Sequence, residues 1–319
     1  MTSGIVGECD ATTGATRSLR TIGAITRLEG RRLLTSKSIL VALAFVVFST
    51  WRVAGNVNPI DGTDGGRATY FMILNKPETL DGSYAVYGFV STAWHVNSLV
   101  FLIPVVGLLI GYPTIVNPRT DGQLQTLLAF PCPRGEMLAG MYLGRAGVFV
   151  LGLVVALGVG WIGIVTHFET ASVWRFLIFA TVTLVYGVVW TSIGIALSAS
   201  FSTDRHVATA VVVFVLVTVF NWHGRLLDVV GLSPGGFVLD PQQAYLTLVA
   251  APYDDMVPKL HQIAAGDIDG FSTAFLSTSE VTANPPVAFT WPVAVGVLLI
   301  WIVTPLLYTH SRIANLELH

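Results

Sequence analysis

Residues 146–166 read AGVFVLGLVVALGVGWIGIVT, an unbroken run without one ionisable side chain. A bilayer core of roughly 30 Å needs about 20 apolar residues in helical form, so this stretch has the length to cross one. A surface helix of a soluble domain would carry a polar face at a period of 3.6, and none is present. Working outward, residues 39–55, 94–113, 174–200, 207–222 and 289–308 give the same signal. The sequence therefore predicts an all-α, polytopic membrane protein with six transmembrane helices. The charge within the third to fifth runs is Arg175, at an end where its stem can snorkel. The first run is squeezed between Lys37 and Arg52, so its helix is expected to begin earlier, near Leu33 or Leu34.

Composition agrees. Hydrophobic residues make up 53% and charged residues 11%, against about 25% charged in soluble domains. That leaves too little charge to cover a soluble surface and too much apolar content for a disordered chain. Seventeen bases against nineteen acids give a net charge of −2, with no basic field to hold nucleic acid. Cys9 and Cys132 form neither a disulfide framework nor a zinc spacing.

The bases fix an expected orientation. With the N-terminus inside, Arg17, Arg20, Arg27, Arg31, Arg32, Lys37, Arg119, Arg134, Arg145, Arg205 and Arg312 all fall in inner segments. The positive-inside rule then places both termini in the cytoplasm. Residues 1–16 are small and polar, expected as a disordered tail with no signal peptide. Residues 17–37 form a basic amphipathic pattern. Arg17, Arg20, Arg27 and Arg31 lie within about 80° on a helical wheel, opposite Leu19, Ile22, Ile25 and Leu33. Such a helix rests at an anionic lipid surface. Glu29 and Arg32 interrupt its apolar face but can pair at i,i+3.

Two outer loops, 56–93 and 223–288, join the spans. Asp240-Pro241 is a helix start leading residues 242–251, and a second short helix is expected at 254–265 despite Pro258. On the inner side, prolines and glycines enclose a short helix at 121–130. Its alternative reading is an ordinary loop helix lying on the bilayer.

Several chemistries are missing. Each of the three lysines follows Ser36, Asn75 or Pro258, so no G-x4-G-K-[ST] phosphate loop exists. There is no H-E-x-x-H and no G-x-S-x-G. The sequence thus offers no catalytic residue, metal ligand or cofactor site. The span centres hold polar but not ionisable groups (Asn97, Ser98, Thr181, Thr183, Ser192 and Thr218), suited to interhelical hydrogen bonds. A proton or sodium relay normally needs ionisable groups at that depth. Pro104 and Pro305 should kink their helices.

The segment after the second span resembles the membrane subunits of type-2 ABC exporters, six-span permeases related to those of nitrous-oxide reductase maturation. Ile115, Arg119, Gly122, Leu124, Leu127, Leu128, Pro131 and Arg134 stand in register with that family's motif, followed by Gly140, Leu143 and Arg145. Residues 27–32, Arg-Leu-Glu-Gly-Arg-Arg, resemble its elbow helix, and 239–245, Leu-Asp-Pro-Gln-Gln-Ala-Tyr, a sequence of its last outer loop. Pro118 and Thr120 replace the family's flanking glutamates.

The resemblance implies a single permease domain over 17–319 in the plasma membrane. It implies two permease chains, as a homo- or heterodimer, working with a separate ABC ATPase subunit. The ATPase would dock on a coupling helix carrying Arg119, Asp121, Gly122, Leu124, Leu127, Leu128 and Arg134, with an elbow helix carrying Arg27, Glu29, Arg31 and Arg32. The missing phosphate loop fits an ATPase on another chain, and export is the implied direction. The rival reading is a non-transporting six-span anchor whose outer loops bind a partner.

A topology test follows from the base distribution. Green fluorescent protein fused after His319 should fluoresce, and alkaline phosphatase inserted at 260–270 should be active. The reverse pattern would invert the orientation.

Overall fold

A computed structural model describes residues 3–56, 73–74, 86–90, 98–120, 133–167, 170–219, 239–252, 256–258, 275–277 and 290–314. In chain order the elements are α1 (Ser3–Leu34), α2 (Lys37–Asn56), β1 (Ile73–Leu74), α3 (Val86–Val90), α4 (Leu99–Gly111), α5 (Pro113–Thr120) and α6 (Arg134–His167). They continue as α7 (Val173–Ser200), α8 (Asp204–Val219), α9 (Pro241–Ala250), β2 (Met256–Pro258), β3 (Phe275–Ser277) and α10 (Trp291–Ala314). The polytopic helical reading holds. Five of these helical stretches are long and apolar enough to cross a membrane: 37–54, 99–119, 134–166, 173–200 and 291–313. The fifth expected span corresponds to α8, described over 16 residues.

One small sheet is added to the helical plan. Its order is β1-β3-β2, with β1 parallel to β3 (Ile73 opposite Phe275) and β2 antiparallel to β3 (Val257 opposite Leu276). It pairs residues of segment 56–93 with residues of segment 223–288. Of the helices described between Leu74 and Met256, α4 with α5, α6 and α7 are long and apolar enough to cross a membrane. The helix expected at 254–265 is not what forms there: Met256–Pro258 is a strand, and 259–265 lie outside the described residues. Pro258, with no N–H, sits at the strand's end.

Two helices exceed their sequence bounds. α6 starts at Arg134, twelve residues before the apolar run, because charge ends a hydrophobic pattern without ending a helix. α1 begins at Ser3, inside the stretch expected as a disordered tail. Once a helix is nucleated, adding residues costs little.

Helices in lipid gain nothing from hiding apolar surface from water, so close packing must hold them, and small residues permit it. α4 and α7 meet backbone to backbone: a Cβ on Gly111 would lie 2.7 Å from Gly194 Cα. α6 receives α1 the same way, a Cβ on Gly140 falling 2.7 Å from Ile25 Cβ and one on Gly144 2.8 Å from Glu29 Cβ. Gly163 seats Ala54 of α2. The outward faces stay apolar, including Phe45, Phe48, Val154, Val155, Leu299 and Val303. Trp51, Trp174 and Trp291 are exposed at one end, as a belt at the membrane interface would place them.

Several of the polar groups within the spans make the interhelical hydrogen bonds expected of them, alongside bonds within their own helices. Thr181, Thr183 and Ser192 each donate to the carbonyl four residues back on α7. Thr183 also meets Tyr245, and Ser192 meets Tyr142 of α6, while Thr181 faces outward. Ser98 caps α4, accepting from the Val100 N–H and donating to the Val90 carbonyl. Asn97 and the Thr218 side chain lie outside the described residues.

At the Gly111–Gly194 contact, Gly111→Val should destabilise the protein by about 2 kcal/mol or more, seen as a lower unfolding temperature in detergent. Gly147→Ala, which points into open space, should stay within about 1 kcal/mol of the parent.

Candidate functional site

The end of the bundle holding most of the bases is built from five helices. α1, α5, the start of α6 and the ends of α7 and α10 share a small core of Ile115, Met137, Leu138, Met141, Ile195, Ala199 and Ile313, with Ile25 and Tyr142 against it. Thr26 donates to the Gly140 carbonyl at 3.3 Å, and Arg134 to the Ile313 carbonyl at 2.7 Å. Tyr308 of α10 reaches Ser200 of α7 at 3.3 Å.

α1 turns its charges two ways. Arg27, Arg31 and Arg32 are exposed, whereas Glu29 is buried against α6. The expected Glu29–Arg32 pair is replaced: Glu29 Oε2 lies 2.9 Å from Arg145 Nη2, with side chains 8% and 4% exposed. A surface i,i+3 pair contributes a few tenths of a kcal/mol, while a carboxylate taken out of water requires a close counter-charge. The other nitrogen of the same guanidinium, Nη1, donates to the Ile110 carbonyl at 2.7 Å. One side chain of α6 thus joins α1 to the end of α4.

The expected docking residues are only partly described. Arg119 is half-buried near the end of α5, and Arg134 opens α6. Asp121, Gly122, Leu124, Leu127 and Leu128 lie outside the described residues. The described chain leaves this end of the bundle at Thr120 and re-enters it at Pro133. Sequence reasoning placed Arg145 among the inner flanking charges and missed its pairing. The available signal was Glu29, a carboxylate on an otherwise apolar stripe.

The opposite end is closed by α9. Asp240 caps it by accepting from the Gln242 N–H at 3.0 Å, and Pro241 opens the first turn. The Tyr245 ring stacks on Tyr186 with centroids 4.3 Å apart, and its hydroxyl lies 3.1 Å from Thr183 Oγ1. Burial pushes the Tyr245 phenol well above its usual range, the Thr183 hydrogen bond opposing the shift, so it stays neutral at physiological pH. The Trp301 indole donates to the Leu239 carbonyl at 2.7 Å. Nearly every residue of α9 is buried, so this outer segment is part of the bundle.

A helical bundle with five membrane-length apolar stretches among the described residues defines a multi-pass membrane protein. The sequence pattern of the family described as "ABC-2 family transporter protein" matches residues 23–313. The chain belongs to that family, the membrane-spanning permeases of ABC transporters. It is 27% identical over 217 residues to the "Probable ABC transporter permease protein NosY" of Stutzerimonas stutzeri, covering 66% of this chain and 75% of that one. It is 36% identical over 75 residues to the protein of the same name in Pseudomonas aeruginosa, covering 22% and 27%.

Breaking the buried pair on one side should be costly. Arg145→Met should destabilise by about 3–5 kcal/mol, because it strands Glu29. Pairing it with Glu29→Leu should recover part of that loss. Unfolding temperatures of both variants check this, and simple addition of the two losses would mean the pair does not interact.

Proposed function

We propose that this permease subunit couples ATP hydrolysis on a separate ABC ATPase to export of a substrate across the plasma membrane, with both termini cytoplasmic. Two permease chains and two ATPases form the complex. The segment 121–130 docks the ATPase, flanked by Arg119 and Arg134, with the elbow helix α1 beside it. The observation carrying this reading is the interlocked basic end. α1, α5 and α6 share a core, and a buried ion pair joins α1 to α6, so force applied there reaches α4 and α7. The lack of a phosphate loop in this sequence supports placing the hydrolysing site on a partner. Family membership supports the arrangement in general.

The test is co-expression with an ABC ATPase from the gene's neighbourhood. The two should co-purify, and the permease should change ATP turnover. Arg119→Glu with Leu124→Asp should abolish that change while leaving the permease folded. No complex and no effect on turnover would overturn the proposal and favour the membrane-anchor reading.

A further inference from the structure

Where α4 passes into α5, the helix loses a rung. Pro113 brings no N–H to the Leu109 carbonyl, and its ring crowds that carbonyl. Irregular backbone at membrane depth persists only where protein groups satisfy it. Here side chains bond the backbone groups on either side of the proline. Arg145 donates to the Ile110 carbonyl at 2.7 Å, and Thr114 Oγ1 bonds the Gly111 carbonyl. Ser198 Oγ of α7 accepts from the N–H groups of Ile115 and Val116 at 2.9 and 3.0 Å, a cap supplied by another helix. Ile110, Gly111, Thr114, Ile115, Val116 and Ser198 are all buried, so water does not compete for these bonds.

The Arg145 guanidinium spans two elements. Nη1 holds the joint and Nη2 holds Glu29 of the elbow helix. Its planar fork can serve both at once, whereas an ammonium would be a single point. We propose that Arg145 is a positioning residue that makes the elbow helix and the α4/α5 joint move as one unit. This deepens the coupling reading above and rests on it for its purpose, because α5 leads directly to segment 121–130. The clasp itself can be tested in the permease alone.

Hydrogen exchange read by mass spectrometry on the purified permease in nanodiscs provides the test. Arg145→Lys keeps the charge but ends one bond short of both Nη positions, so it weakens both contacts. It should speed exchange about tenfold both at 111–117 and at 23–34. Ser198→Ala should loosen 111–117 and leave 23–34 unchanged. The swap Glu29→Arg with Arg145→Glu restores the ion pair but offers a carboxylate to the Ile110 carbonyl. It should therefore protect 23–34 again while 111–117 stay fast. Unchanged exchange at either segment in Arg145→Lys would overturn the proposal. So would a uniform rise extending through α7, which marks a merely structural role. Failure of any ATPase to bind would remove the coupling reading and leave these exchange results to decide the clasp.

Discussion

A guanidinium buried between three helices governs the arrangement of the basic end. Removing an arginine and a glutamate from water costs several kcal/mol per ion, and their attraction offsets that only in good geometry. Arg145 meets its counter-charge and a carbonyl only if α1 brings Glu29 to one of its nitrogens and α4 brings Ile110 to another. The positions of α1, the end of α4 and the start of α6 are thereby tied together. Such a pair adds little net stability over an apolar packing of equal volume. Its consequence is geometric, and it acts at the end where the chain runs out toward the segment 121–130.

Elsewhere the bundle relies on close approach. Gly111 against Gly194, and Gly140 and Gly144 against α1, bring backbones near enough for dispersion to hold helices that lipid would not push together. The end opposite the bases is closed by aromatic contacts, Tyr245 stacked on Tyr186 and Trp161 tilted against Phe176 at 4.8 Å. The two ends differ in kind. The end opposite the bases is a packed aromatic plug with α9 set into it, and the basic one is a set of side-chain clasps around a proline joint.

Features set by local chemistry were legible in the sequence. Length and lack of charge gave the apolar spans, and Asp240-Pro241 gave the start of α9, where the aspartate caps as its position suggested. Features set by distant contacts were not. Glu29 finds a partner on α6 that no periodicity points to, and β1 pairs with β3 across most of the chain. Hydropathy stopped at Arg145 and so concealed twelve helical residues of α6, a stretch that packs against α1 outside any apolar run. Of the proposed docking residues, the motif supplied the positions, and the described structure holds Arg119 and Arg134 on either side of the segment.

The central claim is that a separate ATPase engages the basic end. The most direct measurement is cysteine cross-linking in membranes that contain both proteins, with Leu127→Cys on the inner segment and Phe275→Cys on the outer sheet. Position 127 should give a permease–ATPase product and position 275 none. A product from 275 with none from 127 would contradict the claim.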